Sequence, residues 1–129
     1  WCLTRGPDAC AAGFGNSDFA EAQLALWLQD PRFEGFDVNA MLHPLWFALN
    51  TGFSGMSDSN ARALGFAHEM DWRTSYVDSA RDLLNNEVGI AIGNEYWRPT
   101  DIVAAVEQAA LTGRLWCISS GGGAALTSC

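Results

Sequence analysis

The stretch "RDLLNNEVGIAIG", residues 81–93, places the tightest constraint on the fold. Leu83, Leu84, Val88, Ile90 and Ile92 read as core, yet two adjacent asparagines, Asn85 and Asn86, sit among them. A buried amide without partners costs roughly 1–3 kcal/mol, so a fold that takes up this segment must put those amides to use. Asp82, Asn85, Asn86 and Gly89 follow the i, i+3, i+4, i+7 spacing of one helical face, which sets the asparagines beside a carboxylate. Gly89 and Gly93 leave a groove where a second backbone can approach closely, although glycine also weakens the helix.

Helical spacing recurs elsewhere. In "SDFAEAQLALWLQD", Asp18 and Glu21 form a capping-box pattern, and Ala20, Leu24, Trp27 and Leu28 make an inward stripe that Pro31 ends. "NAMLHPLWFALNT" puts His43, Trp46, Phe47 and Asn50 on one face, and Pro44 predicts a helix start near His43. "GFSGMSDS" reads as a loop, with Ser54 in a turn because Gly-Phe-Ser-Gly-Met lacks the second glycine of a nucleophile elbow. "NARALGFAHEMDW" is the next helix, a break follows at 73–75, and the asparagine-bearing helix starts near Tyr76. The last helix, in "RPTDIVAAVEQAALTG", takes Thr100 as N-cap and Gly113 as its stop, and "RLWCIS" is a short extended segment. No set of alternating strands competes. The expected fold is all-α: one compact multi-helix domain over residues 1–129, with disulfide-braced extended terminal segments.

A chain of 129 residues can bury a core, and 49% hydrophobic with 17% charged residues argues against disorder. All seven basic residues are Arg, and fifteen carboxylates leave a formal net charge of −8, so the chain lacks the basic footprint that nucleic acid requires. No apolar run approaches the length of a membrane span, and "WCLTRGPDAC" lacks the form of a signal peptide, so an exported chain would have this sequence as its mature form. Cys2, Cys10, Cys117 and Cys129 lie only at the two ends and match no zinc-ligand spacing, which predicts two disulfides and a secreted, extracellular protein. Four cysteines allow three connectivities. Their placement favours local pairs, Cys2 with Cys10 and Cys117 with Cys129, over a Cys2–Cys129 clamp.

On otherwise apolar helices the chemistry-bearing residues are His43, His68, Glu69, Asp82, Asn85 and Asn86. Together they suit a satisfied hydrogen-bond network, an acid/base pair or a metal site, and residue chemistry alone favours the first. The blocks "LHPLWFALNT", "FAHE" and "DLLNNEVGIAIG", in that order, resemble a family of secreted proteins and toxin-like C-terminal helical domains. That family carries Arg-His-x-x-Trp-x-Ala-Leu, then His-Glu, then Met-Asp-Leu-x-Asn-Asn-x-x-Gly-x-x-x-Gly. His43, Trp46, Ala48 and Leu49 match the first block, His68 and Glu69 the second, and Asp82, Leu83, Asn85, Asn86, Gly89 and Gly93 the third. "WCLTRGPDAC" resembles the Trp-Cys-Leu opening of some extracellular members. The resemblance implies a helical, secreted domain.

The chain also departs from that pattern. Leu42 replaces the Arg before the first histidine, Asn39 replaces an Asp four residues before it, and Pro44 follows it directly. Arg81-Asp82 stands for Met-Asp, while Met70-Asp71 lets Asp71 compete for the role given to Asp82.

Two functions follow, the first favoured because Leu42 stands where the family sets an Arg beside His43. One is a structural or binding subunit of an extracellular assembly, its partners other protein subunits or copies of itself, with the polar cluster as internal scaffolding and some of the six Trp as interface anchors. The other is a hydrolase for a cell-envelope or matrix polymer. There Glu69 is general acid or base, Asp82 its carboxylate partner, His43 or His68 a proton shuttle, and Asn85 or Asn86 a substrate-orienting group. A metal-dependent variant would use His43, His68 and Asp82, but the His-Glu-x-x-His spacing is absent, so no metal and no cofactor is expected.

Overall fold

The computed structural model describes residues 7–71, 75–119 and 125–129. Five helices carry the fold: α1 Pro7–Trp27, α2 Asn39–Ala48, α3 Asp58–Asp71, α4 Tyr76–Glu95 and α5 Pro99–Leu111. A short antiparallel pair follows, β1 Trp116–Ile118 with β2 Leu126–Ser128. The all-α expectation therefore stands, with a small sheet added. Three residues per strand are too few to display an alternating pattern in sequence. None of the described helices is long and apolar enough to cross a membrane.

The hub is α2. Ala40, Met41 and every residue from His43 to Ala48 are buried, the pattern of a helix enclosed on nearly all sides, and α1, α4 and α5 pack around it. It begins at Asn39, not near His43, so Pro44 falls inside the helix rather than in a first turn. The first turn is tight, with Ala40 N donating to Asp37 O and Met41 N to Val38 O. Proline forfeits only the bond its own N–H would have made to Ala40. At its far end α2 runs on into a π-helical turn, Leu49–Phe53, which Ser54 N closes by donating to Leu49 O.

Close approach of α4 to this hub depends on glycine. A Cβ at Gly89 would fall on Pro44 O and 2.8 Å from Pro44 Cα; one at Gly93 would fall on Thr51 Oγ1 and 2.7 Å from Ala48 O. The groove read from the sequence is thus filled by the backbone of α2 and its π-helical turn.

Several boundaries differ from expectation. α1 runs from Pro7, so Asp18 and Glu21 lie in mid-helix and form no capping box. Its inner face is Gly13, Asn16, Ala20 and Trp27, while Leu28 follows the last turn and is exposed. The N-cap of α5 is Arg98, with Pro99 in the first turn, in place of Thr100. Gly113, at φ 69°, ends it as expected. Ser75 caps α4 by accepting from Asp78 N, and the rest of the expected break, 73–74, lies outside the described residues.

Cys117 and Cys129 form a disulfide across the small sheet, the predicted local pair. Cys10 is also disulfide-bonded and lies in α1, so the described part of the N-terminal margin is helical where an extended segment was expected. Cys2, its predicted partner, lies outside the described residues.

Candidate functional site

Each asparagine of the opening stretch has a use. Asn85, fully buried, forms a two-way clamp on β1: its Nδ2 donates to Trp116 O at 3.0 Å, and Trp116 N donates to its Oδ1 at 2.9 Å. It docks the C-terminal sheet onto α4 and does not face the histidines. Asn85→Ala is expected to cost about 1–3 kcal/mol by stranding both Trp116 backbone groups. Denaturant melts and amide exchange at Trp116 measure that cost; an unchanged protection of that amide contradicts the clamp.

Asn86 turns toward the histidines instead. Its Oδ1 lies 2.9 Å from His43 Nδ1, while its Nδ2 packs on Gly65, where a Cβ would come within 2.7 Å. Asn86 Nδ2 has no hydrogen-bond partner among the described residues, so only half of this amide is satisfied. The other ring nitrogen, His43 Nε2, lies 3.5 Å from Asp82 Oδ2. Both nitrogens therefore meet oxygen. A proton on one nitrogen alone leaves the other's lone pair facing an oxygen lone pair.

Asp82 is held from its second oxygen, Oδ1, which accepts from Arg81 Nε at 2.9 Å. Arg81 reaches on to Asp37 at 3.6 Å and Asp78 at 3.9 Å. Burial opposes its charge, but the hydrogen bond and charge of Asp82, with Asp37 and Asp78 beyond, outweigh that and hold its pKa above the ordinary value. The cation that Leu42 does not provide thus comes from the residue next to Asp82.

Aromatic packing fixes the His43 ring, with Phe47 stacked nearly parallel at 7° and Trp46 edge-on at 6.0 Å between centroids. Trp46 is itself anchored by Nε1 donating to Gly13 O at 2.7 Å. From α3, the His68 ring stands 5.6 Å from His43 and 5.2 Å from Trp46. Glu69 follows at the half-exposed edge.

These groups line one cavity of about 270 Å³, bounded by Ser17, Glu21, Leu42, His43, Trp46, His68, Glu69 and Asp82. Among the described residues it is open to solvent, and Glu21 in its lining is exposed. Of the six residues singled out in the sequence, His43, His68, Glu69 and Asp82 converge here, Asn86 supports His43 from behind, and Asn85 lies elsewhere. The side chain of Asp71, the competitor to Asp82, lies outside the described residues. Sequence reasoning missed Ser17 and Glu21, whose only signal is their i, i+4 spacing on the face of α1 that carries Gly13. It also missed a second buried amide contact, Asn16 Nδ2 donating to Asn50 Oδ1 and to Ser54 Oγ, both at 2.8 Å, which joins α1 to the π-helical turn.

Comparison with protein-family models, curated proteins and solved structures finds no match to the chain.

Proposed function

We propose that this chain is a secreted hydrolase that acts on a cell-envelope or matrix polymer at the His43 pocket. One observation carries the reading: two carboxylates and two imidazoles, brought from α2, α3 and α4, line a single solvent-open cavity. A purely internal scaffold has no need to open. The volume suits one sugar- or amino-acid-sized unit of a longer chain lying across the mouth. In this mechanism a water adds to the scissile bond, the His43–Asp82 pair takes its proton, and Glu69 gives a proton to the leaving group. Arg81 and Asn86 hold the pair in register and touch no substrate. The disulfides accord with an oxidising compartment, and the resemblance to secreted and toxin-like helical domains accords with export.

A second reading, the structural or binding subunit, has its own support in exposed Phe14, Phe53, Phe66 and Trp97, aromatics of the kind that anchor protein interfaces. Incubating the chain with cell-wall and matrix polymers separates the two. The hydrolase releases soluble fragments; a chain that releases none and runs as a stable assembly is the subunit.

A further inference from the structure

We propose that the pocket binds a divalent transition-metal cation, zinc fitting best, through His43, His68 and Glu69. One donor atom from each of the three lies within 4.8 Å of the others. A tetrahedral zinc site, with bonds of about 2.0–2.1 Å, separates its ligand atoms by roughly 3.4 Å. Shifts on the order of 1 Å close that gap, and they fall on His68 and Glu69, which are partly exposed on α3.

His43 needs no such movement. With the proton on Nδ1, as its contact with the Asn86 amide oxygen requires, the ring donates backwards and points Nε2 into the pocket. A histidine that holds a metal is commonly oriented by this kind of bond from its other nitrogen. The Nε2 lone pair then faces Asp82 Oδ2 at 3.5 Å, close to the edge of a zinc tetrahedron. Two lone-pair donors repel across that gap unless a proton or a cation lies between them, and three protein ligands leave the fourth position of the tetrahedron open to water beside Asp82. Arg81 takes Oδ1 and leaves Oδ2 available. Among the described residues no Arg lines the cavity, whereas Glu21, Glu69 and Asp82 do, so even with Arg81 behind Asp82 the lining carries an excess of carboxylates that suits a cation. The ligand set is imidazole and carboxylate, which suits zinc better than calcium or magnesium. The inference rests on the reading of this pocket as hydrolytic and reassigns its roles: a bound ion would take His43, His68 and Glu69 as ligands and lower the pKa of the attacking water, with Asp82 left to take that water's proton and pass it to the leaving group.

The test is a calorimetric titration of the full-length, chelator-stripped chain with zinc chloride, alongside polymer fragment release by the same preparation. About one equivalent should bind, and the melting midpoint should rise with zinc. Asn86→Ala should weaken binding by about 10–100-fold. His68→Ala should weaken it further, with His68→Gln as the variant closer in size. Surface Glu87→Gln should bind as the parent does. Absence of saturable binding, or binding that both His68 variants leave unchanged, overturns the metal site. Fragment release without zinc binding removes the metal and keeps the hydrolase; zinc binding without fragment release keeps the metal and removes the hydrolase.

Discussion

Gly93→Ala is expected to lower stability by about 3 kcal/mol, the upper end of what overpacking costs, and to lower the melting midpoint by roughly 10 °C. The new methyl group has nowhere to go. It would meet Thr51 Oγ1, Ala48 O and Gly52 N, two of them backbone atoms of the hub helix and its π-helical turn. A flexible side chain can step aside; a carbonyl held in a helix cannot. Relief would require α4 to move away from α2, and the Asp82, Asn85 and Asn86 contacts sit on that same helix. The control is Gly15→Ala in α1, where a Cβ meets nothing within 4 Å. There the same chemical change should raise stability by about 0.4–1 kcal/mol through the unfolded chain. Thermal melts of both variants decide the matter, and equal midpoints would contradict the close helix contact.

Asp82→Ala should cost about 2–3 kcal/mol, because it strips partners from two poorly hydrated groups at once. Arg81, with 15% of its side chain exposed, loses its shortest ion pair and keeps only the longer contacts to Asp37 and Asp78. His43 loses the oxygen facing Nε2. Those remaining carboxylates are why the expected loss stays below that of a fully orphaned buried charge. Asp82→Asn, which preserves shape and one acceptor, should lose less, and denaturant melts on the two variants give the difference. An Asp82→Ala protein as stable as the parent would show that the ion pair does not brace α4.

The helices were legible where residues repeat at helical spacing, as in α3, most of which lies in "NARALGFAHEMDW", although Asp58 and Ser59, read as loop, form its first turn. The first half of α1 was not. "PDACAAGFGNS" carries two glycines and little apolar periodicity, and it is helical because Gly13, Asn16 and Ala20 present a small face to α2 and its π-helical turn. Local chemistry misplaced two starts. Asp18 and Glu21 have the spacing of a cap in a helix already under way, and Thr100 is a better capping side chain than Arg98 but follows Pro99, which belongs to the first turn. In the site, His43, His68, Glu69 and Asp82 stood out because polar groups on apolar helices need partners. Which partner each receives was not legible. Both asparagines share a helical face with Asp82, yet Asn85 takes a backbone thirty-one residues away and Asn86 takes His43. Such pairings depend on how helices cross, a property that spacing along one helix does not encode. Arg81 was visible only as a departure from a family pattern, and its service to Asp82 emerged from the fold.

The claim that the His43 pocket does work on a substrate is tested most directly by Glu69→Gln, with polymer fragment release and melting midpoint measured on one preparation. The substitution keeps the shape of a half-exposed side chain and removes its ability to exchange a proton. Fragment release should fall by about 100-fold or more while the midpoint stays within about 2 °C of the parent. Undiminished release, or a fall in midpoint matching that of Asn85→Ala, would place Glu69 in the scaffold and contradict the claim.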